Sequence, residues 1–224
     1  MFRFCRHIGP TMHLSFFFCM ILANDSLTLN GTNSITYDPV VELQNMSQRP
    51  TLFEKFGSKL KLKLPDPYDI ETIKPNLVFY RNGLKYFEVK YDADPRDVAV
   101  QLKSAGYLDT ERLIVITHGF HNNFNTDWLH TYKDTILNVS SSIKKEQTVA
   151  ILGWGGGADL VVIFYRNAAA NVVPVGQWLA NYTKAINDVK PSLPIYGVGH
   201  SLGAHLMGVA GRQSKVFDRI TGKY

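Results

Sequence analysis

Three runs of nearly unbroken apolar residues, RLIVIT (112–117), TVAILGW (148–154) and PIYGVG (194–199), punctuate a chain that elsewhere mixes polar and apolar positions. Runs of this length with β-branched residues predict strands buried on both faces. LVFYR (77–81) and KYFEVKY (85–91), joined around Asn82-Gly83, predict a hairpin. FDRIT (217–221) starts a further strand. Helical periods fill the intervals. DPRDVAVQLKSAG (94–106) opens on Asp and Pro and closes at Gly106. Near 127–145, Leu129, Tyr132, Ile136, Val139 and Ile143 form one apolar stripe. Over 172–189 the stripe is Val175, Leu179, Tyr182, Ile186 and Val189, with Pro174 near the first turn. A last helix follows Ser201 to about 213. Continuous strands alternating with helices predict an α/β fold: a mostly parallel sheet with helices on both faces, over residues 77–224. Residues 24–76 carry five prolines and little periodicity, so they read as an irregular segment, with one strand of wet and dry faces around KLKLK (59–63).

The first 23 residues change the picture. MFRFCRH supplies a basic flank, and LSFFFCMILA (14–23) is too short to span a bilayer but suits the apolar core of a signal peptide, with Ala23 at the cleavage position. Met12 offers a second, more compact start. Both cysteines, Cys5 and Cys19, fall in this leader, which leaves no disulfide framework to read. A leader implies a secreted, extracellular chain, and export brings glycosylation within reach. Asn24, Asn30, Asn45, Asn138 and Asn181 each begin an N-x-[ST] sequon. Asn138 and Asn181 lie roughly 130° and 120° from the centres of their helices' apolar stripes, so both are expected to face solvent. The net charge of +5 is scattered, and KLKLK is better explained by a strand than by a nucleic-acid patch. A nucleic-acid partner is not expected. Oligomeric state cannot be read from the chain.

Small-residue clusters stand at the carboxyl ends of the three apolar runs: THGF (117–120), GWGGGA (153–158) and GHSLGA (199–204). Ligands of open parallel sheets gather at that edge. Gly199-His200-Ser201-Leu202-Gly203 fits G-x-S-x-G between a strand and a helix. There a serine hydroxyl is held free on a strained turn, and the flanking glycines clear space for it. The Leu202 N–H would sit at a helix N-terminus, aimed at a developing oxyanion, and the Phe120 N–H is placed to be a second donor. Two other readings compete. A tight strand–helix connection with a capping serine needs no chemistry. Gly197, Gly199 and Gly203, with Asp218 some twenty residues on, also resemble a loosened dinucleotide fingerprint, but that fingerprint leaves THGF unexplained.

Taken together, THGF, WGGGA, GVGHSLGAHLMG (197–208) and RITG (219–222) resemble, in order, the pancreatic-type lipase family of α/β-hydrolases. The WGGGA form is similar to the arthropod-type branch of lipases and phospholipases A1. The resemblance implies hydrolysis of lipid esters, triacylglycerol or phospholipid, at a lipid–water interface and without a cofactor or metal in the chemistry. It implies Ser201 as nucleophile and the Phe120 and Leu202 backbone N–H groups as oxyanion donors. Two departures follow. The family usually has Asp before the Trp of WGGGA, where this chain has Gly153. The family's catalytic Asp follows RITG closely and its His lies far downstream, whereas RITG here is followed by Lys223 and Tyr224. The expectation is therefore a fragment: a hydrolase domain incomplete at its C-terminus, without the triad Asp and His and inactive alone. A non-catalytic, yolk-like lipid-binding relative is the alternative.

Overall fold

The computed structural model describes residues 64–223, all within the compact unit Ser47–Lys223. The leader, the sequons at Asn24, Asn30 and Asn45 and the KLKLK strand lie outside the described residues. The first element is a single helical turn, α1 (Ile70–Ile73), where the Thr72 N–H donates to the Asp69 cap carboxylate at 2.7 Å. It falls in the segment read as irregular. Strands β1 (Asn76–Tyr80) and β2 (Phe87–Val89) pair antiparallel, Leu77 opposite Val89, as the hairpin signal predicts. Helix α2 (Pro95–Ser104) is capped by Asp94, whose carboxylate accepts from the N–H groups of Arg96 and Asp97. Then come β3 (Arg112–Thr117), α3 (Asp127–Ser142) and β4 (Gln147–Gly153). The turn α4 (Gly155–Ala158), a 3₁₀ turn (Val162–Phe164) and the long α5 (Tyr165–Val189) follow. The described chain closes with β5 (Ile195–His200), α6 (Leu202–Ser214) and β6 (Arg219–Lys223).

The six strands lie in the order β2-β1-β4-β3-β5-β6. β3 is parallel to both β4 and β5, and β5 to β6, while β1 joins antiparallel to β2 and β4. The central strands are buried on both faces because alternate residues feed two cores. Leu113, Val115, Ala150, Leu152 and Ile195 face α2, α5 and α6, whereas Ile114, Ile116, Val149 and Ile151 face Leu129 and Leu137 of α3. Each fully buried Val, Leu or Ile among them contributes roughly 1.5–3 kcal/mol.

Three elements differ from the sequence reading. α5 begins at Tyr165, not near 172, which leaves Pro174 inside the helix. Ala168, Ala169 and Ala170 are strong helix formers, and they are buried with Asn171 and Val172. Tertiary burial there outweighs the hydrogen bond that Pro174 cannot donate. α3 is rotated from its expected stripe. Leu129, Leu137 and Ser140 are buried, whereas Tyr132, Val139 and Ile143 are exposed. Tyr132, Ile136 and Val139 instead line one wall of an open groove of about 480 Å³, with Tyr196, Val198 and Thr221 on the sheet side. β6 starts at Arg219, two residues after the expected start, and every one of its residues is exposed. Among the described residues no helix is long and apolar enough to cross a membrane.

Candidate active site

Ser201 is the single residue between β5 and α6. Its backbone stands at φ 53°, ψ −123°, a region costly for a residue with a side chain, by roughly 1–3 kcal/mol. Neighbours over-determine it. The Ser201 N–H donates to the Lys223 carbonyl of β6 at 2.8 Å, and the Ser201 carbonyl accepts from the Ala204 N–H at 2.9 Å. The flanking glycines give room for the turn: a Cβ on Gly199 would collide with the Gly203 backbone, and one on Gly203 with the His118 carbonyl. Leu202 opens α6, so its N–H has no intrahelical acceptor.

The loop after β3 lies directly against this turn. A Cβ on Gly119 would come within 2.7 Å of both the Ser201 Cβ and the His200 carbonyl, and 3.2 Å of the Leu202 nitrogen. His118, fully buried, holds that loop. Its Nε2 accepts from the Trp154 N–H at 3.1 Å, so the proton sits on Nδ1, which donates to the Gly119 carbonyl at 3.0 Å. The indole of Trp154 stacks on the imidazole at 5.6 Å and donates back to the His118 carbonyl at 3.0 Å. Burial lowers the His118 pKa to about 4, against a smaller opposing contribution from the Gly119 bond. A neutral His118 thus fixes the plane of the Gly119–Phe120 peptide. Because that unit is trans, the Phe120 N–H points away from the imidazole. The sequence places His118 in this loop, but nothing in it signals the reciprocal clamp with Trp154, which joins residues 36 apart.

The remaining residues distribute around the sheet. His121 takes φ 56° and faces the Asp159 carboxylate at 3.6 Å, and Asn123 donates to the other Asp159 oxygen at 2.8 Å. This pair forms at the β4 end, across β3 from Ser201. His200 packs edge-on against Trp128 at 5.6 Å; burial and then Lys223 lower its pKa. His205, one turn into α6, is lowered by burial. His130 bonds the Phe124 carbonyl at 2.9 Å. Asp218 accepts from the Ile195 N–H at 2.8 Å, at the amino end of β5 and so remote from Ser201. At Gly153, where the family usually has Asp, Asn76 and Phe124 fill the space a side chain would need. Asn138 and Asn181 are both exposed.

A mostly parallel six-stranded sheet, helices on both faces and a strained serine between β5 and α6 define an α/β-hydrolase fold. The sequence matches the profile of the family described as Lipase over residues 53–223, which reaches into the segment read as irregular, and the chain belongs to that family. Among curated proteins it is 27% identical over 160 residues to a pancreatic triacylglycerol lipase of Cavia porcellus, covering 70% of this chain and 32% of the relative. To the phospholipase A1 VesT1.02 of Vespa tropica it is 28% identical over 170 residues, 72% of this chain and 52% of the relative. A phospholipase A1 of Vespula maculifrons is 32% identical over 125 residues, 51% of this chain and 39% of the relative. The chain thus spans about a third to a half of the length of these relatives.

Proposed function

We propose that this chain is part of a secreted serine ester hydrolase acting on lipid esters of the triacylglycerol or phospholipid class. The observation that carries this reading is the strained Ser201 turn packed against Gly119. The Ser201 Oγ attacks the ester carbonyl carbon and passes its proton to a base. The carbonyl oxygen, now an oxyanion, accepts from the Phe120 and Leu202 N–H groups and from the α6 dipole. Collapse breaks the ester C–O bond, the alcohol or lysolipid leaves with the proton, and water hydrolyses the acyl-serine. A preformed turn costing about 1–3 kcal/mol has a use in this sequence of steps and none in a passive lipid carrier.

On this reading the base is none of the described histidines, His205 being carried by the same helix, α6, that Ser201 precedes. Both ring nitrogens of His118 are engaged, His121 faces Asp159, His130 bonds Phe124, and His200 packs on Trp128. The 224-residue chain alone is therefore expected to hydrolyse soluble short-chain esters near background, with Ser201→Ala making little further difference. Robust hydrolysis by this chain that Ser201→Ala abolishes would reveal a base among its own residues. In a form spanning the whole family domain, lipid-ester hydrolysis dependent on Ser201 is expected. Lipid binding without any hydrolysis in that form would favour the non-catalytic alternative.

A further inference from the structure

Beside the site lie the three most exposed aliphatic side chains among the described residues. Val161, Val162 and Ile163 are 63%, 66% and 82% exposed, and Phe164 and Tyr165 remain more than a third exposed. The 3₁₀ turn Val162–Phe164 carries three of them, and exposures this high mark it as a protruding tip. Its base is tied down. Leu160 packs on the main core, and the Tyr165 ring meets the Phe120 ring edge-on at 5.1 Å. The His121 N–H donates to the Ala158 carbonyl at 2.8 Å, and the His121 ring lies 3.3 Å from the Leu160 carbonyl. The tip is thus braced on the same loop, Gly119 to His121, that abuts Ser201.

We infer that the turn Val161–Tyr165 is a lipid-surface anchor: it inserts into a phospholipid bilayer or micelle and sets the Ser201 edge of the sheet against that surface. The occupant follows from shape and area. The five side chains present on the order of 500 Å², large for one patch but short of the ~800 Å² per partner of a standard protein interface. A convex tip of aliphatic and aromatic side chains needs a matching pocket in a protein partner, whereas fluid hydrocarbon conforms to it. Asp159 and Arg166 bracket the apolar run, so the charges can stay among headgroups while the tip enters the ~5–10 Å boundary below them. This inference rests on the lipid-ester reading of the site for its choice of occupant, but not on turnover.

The test is flotation, with phosphatidylcholine vesicles, of the chain produced without its leader, residues 1–23. The double variant Ile163→Asp, Phe164→Asp is expected to lower the partition coefficient at least tenfold. Val139→Asp, at an exposed apolar position on α3 away from the turn, should leave it unchanged. Both lie on the surface, and a thermal melt checks that each still folds. As a second measurement, Ile163→Trp should add fluorescence that brominated phosphatidylcholine quenches more strongly than the emission of the unmodified chain. Flotation of the double variant equal to the unmodified chain, loss of flotation with Val139→Asp as great as with the double variant, or no added quenching overturns the anchor. So does loss of self-association in the double variant with vesicle binding intact, which would make a second copy the occupant. Absence of hydrolysis in a form spanning the whole family domain, with flotation still dependent on the anchor, counts against the catalytic reading and upholds the anchor.

Discussion

Ser201 and His118 meet at one corner of the sheet for different reasons. Ser201 is held in a costly conformation by β6 and by two glycines, so its strain is local and backbone-borne. His118 contributes by being neutral, buried and bonded on both ring nitrogens. That gives stability a pH dependence of definite sign. Its folded pKa, about 4, lies below the ordinary 6.5, so between those values the unfolded chain binds a proton that the folded chain does not. Its contribution is complete above about pH 6.5 and lost as pH falls toward 4, by roughly 3 kcal/mol at most. His200 and His205 are lowered in the same direction and add to the slope. Urea midpoints should therefore fall between about pH 7.5 and about pH 5, and His118→Gln should flatten part of that fall. A His118→Gln variant with the unmodified slope, or stability that rises on acidification, contradicts this account.

At the level of elements, the strands and the serine turn were legible because their signals are local. Unbroken apolar runs mark β3, β4 and β5, and the Gly-x-Ser-x-Gly spacing marks the turn between β5 and α6. What escaped depends on distant partners. The start of α5 is set by burial of an alanine run, and the rotation of α3 by which part of the sheet lies beneath it. The His118–Trp154 clamp joins two strand ends that become neighbours only once β3 and β4 pair. The anchor turn has an apolar pattern that the sequence alone does not distinguish from a core segment. The sequons fared differently on the two helices. On α5 the expected stripe is the packed one, and Asn181 is exposed opposite it; on α3 the stripe is rotated, yet Asn138 is exposed. Expression in a eukaryotic secretory cell should add endoglycosidase-sensitive mass, reduced by Asn138→Gln and by Asn181→Gln. Unmodified protein in the cytosol would contradict the secreted reading.

Across the whole molecule, the two ends of the sheet differ. The β2–β1 end is a hairpin, whereas at the other end β6 is exposed throughout, with the open groove between α3 and the β5–β6 face beside it. Exposed strand edges pair with other chains, and apolar surface of several hundred Å² drives association. The 224-residue chain should therefore self-associate and bind hydrophobic dyes strongly at micromolar concentration; a monodisperse monomer that ignores such dyes would contradict this. The β6 end matters for the site as well, because its Lys223 carbonyl holds the Ser201 amide. On the proposed reading this corner is built for nucleophilic attack on lipid esters. The most direct test of that reading is hydrolysis of triacylglycerol and phospholipid by a form of the protein spanning the whole family domain, with and without Ser201→Ala. Measurable turnover is expected, and Ser201→Ala should lower it by roughly 10⁴–10⁶ with the fold intact. Turnover that survives Ser201→Ala unchanged, or none in either protein, would contradict it.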